Sequence, residues 1–200
     1  MIRVARIALQ SHSLESMSAT WLLPVVTLIV ASSTGGVLSN SLGVYNAEQA
    51  LVTLTVSVFM VAVGFSLALM ILVIYLHRLI TCGIPSEGNV LSVFMPLGPT
   101  GQAGYSILLI GEGFRMLLPR SNNPNSYFLS LDLTPTIIDV CCICISFVLW
   151  SLATMWMIYA LLALYPVLRQ FSIPFKVTWW GLVFPNVRHL LVNEKKNAIE

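Results

Sequence analysis

A chain of 200 residues that is 57% hydrophobic and 9% charged, with mean hydropathy +0.87, excludes a soluble globular domain, in which about a quarter of the residues are charged. The net charge is +2 and the lysines and arginines are scattered, which excludes a nucleic-acid-binding surface. The composition is that of an all-α integral membrane protein. Its length leaves room for four or five crossings of about 20 residues each and for no separate soluble domain.

Residues 1–19 read as a cytosolic tail. Arg3 and Arg6 precede only a short apolar run, Ile7 to Leu9, too brief for the core of a signal peptide. Glu15 and the lack of an amphipathic stripe argue against a transit peptide.

The first predicted span is Trp21 to Leu38, with Pro24 near its start and Ser32, Ser33, Thr34, Gly35 and Gly36 near its end. Small residues allow neighbouring backbones to approach closely in lipid, where packing holds helices together. The second span, Ala50 to Leu76, contains no proline, and Gly64 and Ala68 give it a small face that predicts a packing seam. His77 and Arg78 end it.

The third span, Val90 to Ile110, holds the most unusual stretch of the chain. Pro96, Gly98, Pro99, Gly101 and Gly104 crowd into it without a charged residue. Proline removes a backbone donor and glycine weakens helix, so this composition predicts a helix broken near its middle. Broken backbone at membrane depth is tolerated where it faces protein or a water-filled cavity, so the break predicts the wall of a pathway. A glycine-rich packing helix is the duller reading of the same residues. The run lacks the Gly-Lys-Ser/Thr ending of a phosphate cradle.

A turn-rich loop with Arg115, Arg120 and Asp132 leads to the fourth span, Ile137 to Leu164, which Pro166 is expected to close. Asp139 lies near its mouth and reads equally as a functional intramembrane acid or as an interfacial one. Cys141, Cys142 and Cys144 lie within this span and Cys82 apart from it, which makes no disulfide framework. With no histidine or second cysteine pair nearby they make no zinc set either, so neither metal nor cofactor is expected. No catalytic constellation stands out: His12, His77 and His189 all lie outside the span interiors. The last apolar segment, Val177 to Val187, is broken by Pro185 and is only about half a bilayer long.

Spans one, three and five carry prolines and spans two and four carry none, which predicts repeated hairpins with kinked helices inside and plain ones outside. Arg3, Arg6, Arg78, Arg169 and Lys176 outweigh Arg115 and Arg120 across the alternating loops, which places the N-terminus in the cytosol.

Three blocks in this order, Trp21 to Gly36, Phe94 to Gly104 and Thr178 to Asn186, resemble the tellurite-resistance and dicarboxylate transporter family, and within it the fungal sulfite efflux branch. That family also holds malate carriers and slow anion channels. The resemblance implies a ten-helix fold of hairpins whose kinked odd helices surround a pore, chains associated as homotrimers, and a small inorganic or dicarboxylate anion as the partner. Spans one to four then match the fifth to eighth helices, and Val177 onward the start of the ninth. The matching region is 20–187, a partial transmembrane domain of four full helices and a half helix, followed by a divergent tail, 188–200.

On this reading the pathway is lined by Pro24, Pro96, Gly98, Pro99, Gly101, Gln102, Gly104 and Pro185, with Phe184 as the pore gate. Sulfite efflux in the plasma membrane is the expected function. A C4-dicarboxylate or malate carrier is the alternative, and so is a truncated, inactive membrane fragment.

Overall fold

The computed structural model describes residues 19–83, 90–120 and 133–170. The described part is helical throughout. A 3-10 turn, Ala19–Leu22, leads into α1, Leu23–Leu42, and a tight turn leads on to α2, Ala47–Cys82. A second 3-10 turn, Val90–Phe94, precedes α3, Leu97–Leu117; a third, Leu118–Arg120, follows it; and α4 runs over Thr134–Gln170. The half helix expected at Val177 to Val187, the tail at 188–200, and all of the N-terminal tail before Ala19 lie outside the described residues.

Local chemistry explains the ends. In the turn after α1, the amides of Tyr45 and Asn46 both donate to the Leu42 carbonyl at 2.9 Å, and the Gly43 amide donates to Ser39 at 2.9 Å. Asn46 then caps α2: its Oδ1 accepts from the Glu48 and Gln49 amides at 3.1 and 3.3 Å. Glu48 sits in the first turn, where the helix dipole favours a negative charge. At the other end Gly83 takes φ +74°, a left-handed conformation that a side chain would oppose.

The helices form two antiparallel hairpins, α1 with α2 and α3 with α4, laid so that α1 and α3 run parallel. The parallel order follows from the contacts: Gly36 lies against Leu109, Asn40 against Gly113, and Gly43 against Leu117. Within the hairpins the order reverses, with Gly64 of α2 against Leu28 and Ile29 of α1, and Gly104 and Gly111 of α3 against Leu149 and Cys142 of α4. The seam expected from Gly64 and Ala68 is present. A Cβ on Gly64 would sit 3.0 Å from Ile29 Cγ1, and Ala68 is fully buried.

Helix α3 occupies the middle, with 15 of its 21 residues buried. The outer helices turn large apolar side chains outward, among them Val52, Phe59, Met70 and Val73 of α2 and Val148 and Leu162 of α4. Among the described residues three helices are long and apolar enough to cross a membrane: α1, α2 and α4. This all-α architecture agrees with the expected fold class, with α3 as the fourth helix of the bundle. The expected inside-outside division holds for α3 against α2 and α4. It does not hold for α1, whose apolar window is 28% buried, the same share as in α2.

Three expectations are corrected. The third span is a helix over Leu97–Leu117, so the irregular backbone lies at its start. Pro24 falls in the first turn of α1 and introduces no kink there. The helical backbone of α4 also continues past Pro166 to Gln170. The first two share one cause: the first turn of a helix has amides with no intrahelical acceptor, so a proline there removes nothing.

Candidate functional site

The N-terminal half of α3 is the candidate site, and its prolines define where it begins. Pro96 is the N-cap residue, with φ −58° and ψ −27°, and Pro99 stands three residues on, still within the first turn. Gly98, Gly101 and Gly104 therefore belong to one continuous α-helix, and the break expected among them lies before Leu97. The irregular backbone there is closed by short bonds, from the Met95 amide to the Ser92 carbonyl at 3.0 Å and from the Gly98 amide to Met95 at 3.1 Å. Thr100 Oγ1 donates back to the Pro96 and Leu97 carbonyls, each at 3.1 Å. This segment is buried in protein: Val93 and Phe94 pack on Ala160 and Ala163 of α4. Such shielding is what non-helical backbone needs in an apolar medium.

From this start α3 presents a polar seam to its neighbours. Gln102 is fully buried, and its Nε2 donates to Ser33 Oγ of α1 at 2.6 Å. One turn later Ser106 Oγ donates to the Ile29 carbonyl of α1 at 3.1 Å. On the side facing α4, Ser146 Oγ donates to the Gly104 carbonyl at 3.0 Å. Between α1 and α2, Ser32 Oγ donates to the Ser57 carbonyl at 2.7 Å. The α1–α2, α1–α3 and α3–α4 interfaces are thus each crossed by at least one side-chain hydrogen bond, a contact worth about 0.6 kcal/mol in a membrane protein.

Glycines set the spacing. A Cβ on Gly104 would stand 3.3 Å from Ser146 Oγ, and one on Gly111 only 2.7 Å from Cys142 Cβ. Gly36 meets Leu109 in the same way at 3.0 Å. Gly104 therefore faces the α3–α4 packing seam. At the far end of α3, Arg115 Nη1 pairs with Asp139 Oδ2 at 3.2 Å; the Arg115 side chain is 56% exposed and that of Asp139 14%. Asp139 is thus held in an ion pair where the two helices meet.

Of the residues expected to line a pathway, the structure gathers Pro96, Gly98, Pro99, Gly101, Gln102 and Gly104 on one buried stretch of α3. Pro24 stands apart on an exposed part of α1, its carbonyl accepting from Thr27 Oγ1 at 2.6 Å. Phe184 and Pro185 lie outside the described residues. Sequence reasoning missed Ser106 and Ser146, whose partners lie on other helices. The one available signal was Ser106 standing a helical turn after Gln102.

Against known proteins, residues 1–192 match the family described as SLAC1, voltage-dependent anion channel. The sulfite efflux pump SSU1 of Arthroderma benhamiae is 32% identical over 175 residues, covering 88% of this chain and 44% of that protein. SSU1 of Trichophyton rubrum gives the same figures. SSU1 of Candida albicans is 35% identical over 103 residues, 52% of this chain and 21% of that protein. The chain thus spans less than half the length of these curated relatives. No solved structure matches it.

Proposed function

This chain belongs to the voltage-dependent anion channel family, and from that premise we propose that it is part of an anion transporter whose substrate is sulfite, moved outward across the plasma membrane. The observation that carries the proposal is the likeness to sulfite efflux pumps over 88% of the chain. The geometry supports it with a central helix whose buried first half is rich in glycine and carries Gln102.

In this reading the anion moves beside α3 and exchanges part of its hydration shell for protein dipoles, since no lysine or arginine lies among Pro96 to Gly104 to act as a fixed cation. Phe184 gates the path and Pro185 bends the segment carrying it. Sulfite tolerance measured in cells expressing the full chain tests the substrate. The expected result is raised tolerance and faster sulfite release, with malate uptake unchanged. Malate uptake without added sulfite tolerance would instead make the chain a dicarboxylate carrier, and neither activity would leave the inactive-fragment reading.

The transmembrane orientation is part of the proposal. The N-terminus and the loops near Arg78 and Arg169 are cytosolic, and the loop after α3 faces outward, as the basic residues require. The parallel course of α1 and α3 is consistent with alternate crossings. A cysteine introduced at Ser121 in a cysteine-free background is expected to react with an impermeant reagent in intact cells, whereas one at Ser86 is expected to stay protected. The reverse pattern would invert the topology. Assembly as a homotrimer belongs to the same proposal, and crosslinking in native membranes would test it.

A further inference from the structure

We infer that the Gln102 amide recognises the singly protonated form of the transported oxyanion, its Oε1 accepting the acid hydrogen and its remaining N–H donating to an anionic oxygen. The inference rests on the sulfite reading above and names the ionic form of that substrate.

Three observations lead to it. Gln102 is fully buried, and among the described residues its Oε1 has no hydrogen-bond partner. The orientation of the amide follows from its neighbour. Ser33 Oγ donates its single hydrogen to the Val30 carbonyl at 2.8 Å, so toward Gln102 it can only accept, and the amide nitrogen must face it. That leaves the carbonyl oxygen and the second N–H of the amide for another partner. A half-satisfied amide in an apolar seam is a standing destabilisation that a methionine of similar size would avoid, which points to use by a ligand.

The hydroxyls of the interhelical seams bear on the form of that ligand. Those of Ser32, Ser33, Thr100, Ser106 and Ser146 all donate to backbone carbonyls. Their hydrogens are engaged, so what the seam offers is oxygen lone pairs. An unprotonated dianion meets no complementary donors among these hydroxyls, whereas a monoanion bearing one acidic hydrogen supplies the donor that Oε1 lacks. Hydrogen sulfite has this pattern; chloride and nitrate do not.

The pH dependence belongs to the substrate, because charged groups on the packed elements stand away from Gln102. Helix α1 carries no titratable side chain. Glu48, His77 and Arg78 of α2 and Asp139 of α4 lie toward helix ends. On α3 itself Tyr105 is the titratable group within a turn, while Glu112 and Arg115 are two or more turns away.

The test is flux into vesicles carrying the full chain, at fixed total sulfite and varied pH, with nitrate flux measured in parallel. Above the second dissociation of sulfurous acid the monoanion falls about tenfold per pH unit, and wild-type sulfite flux is expected to fall with it while nitrate flux holds steady. Gln102→Met is expected to lower the sulfite-to-nitrate flux ratio about tenfold, the worth of a hydrogen bond to a charged group, at unchanged abundance. Wild-type flux that follows the dianion, or a Gln102→Met variant that loses sulfite and nitrate flux equally, would overturn the inference while leaving sulfite transport intact. A chain that moves no sulfite at any pH removes the functional reading, and this inference with it.

Discussion

Gly111→Ala is expected to be the most destabilising single-methyl substitution in the described bundle, lowering the amount of folded protein in the membrane several-fold. The new Cβ would sit 2.7 Å from Cys142 Cβ, 3.1 Å from Asp139 Oδ1 and 3.3 Å from Cys142 Sγ. Cβ atoms do not approach so closely, and Cys142 Cβ is fixed to its backbone, so no side-chain rotation relieves the overlap. Gly35 and Gly43 differ: a Cβ there meets first the Ser57 hydroxyl or the tip of Leu117, both of which can turn away. At Gly111 helix α4 must shift, which strains the Arg115–Asp139 pair one turn further along α3 and the Ser146 bond to Gly104. Overpacking of this kind costs about 1–3 kcal/mol. Thermal stability in detergent and abundance in the membrane read it directly. Gly111→Ala combined with Cys142→Gly should recover most of the loss. If the single variant is as stable as wild type, the close α3–α4 approach is wrong.

The second large effect concerns the gate proposed at Phe184. Phe184→Ala is expected to raise anion conductance roughly tenfold, equivalent to about 1.4 kcal/mol off the barrier, at constant protein abundance. Pro185 has no amide hydrogen to donate to the carbonyl of Gly181 four residues earlier, which is the sequence feature behind the proposed gate. On the proposed reading the ring obstructs the path, and alanine removes the obstruction. A packing aromatic behaves differently: its loss lowers abundance and leaves conductance per molecule flat. Patch-clamp current normalised to surface protein separates the two outcomes, and the second would end the gate assignment.

The first, second and fourth spans were legible in the sequence because a run of apolar residues long enough to cross a bilayer has few other uses. The ends were less so. Pro96 and Pro99 suggested a helix broken at its middle because proline damages a helix interior, but the same residues in the first turn remove no bond. Which case applies depends on where the helix begins, and the 3-10 turn Val90–Phe94, packed on Ala160 and Ala163, decides that. These are contacts some seventy residues away in the chain, outside any local pattern. The closeness expected of Gly35 and Gly36 was readable because only small residues permit it. The serine partners were not, since a hydroxyl in an apolar span looks alike whether it bonds its own helix, as Ser151 does to Phe147, or a neighbour, as Ser146 does to Gly104.

The moderate apolarity of α3 bears on biogenesis. Its 21 residues are not among the helices apolar enough to cross a membrane by composition alone, yet it is the most enclosed element of the bundle. Such a segment gains little by partitioning into lipid from the translocon unaided. It enters in company, when α4 emerges behind it and the waiting α1–α2 hairpin offers Ser33 and Ile29 in place of water. A ribosome stalled after α3 should therefore hold a chain whose third segment is still extractable by alkali, and one stalled after α4 should not.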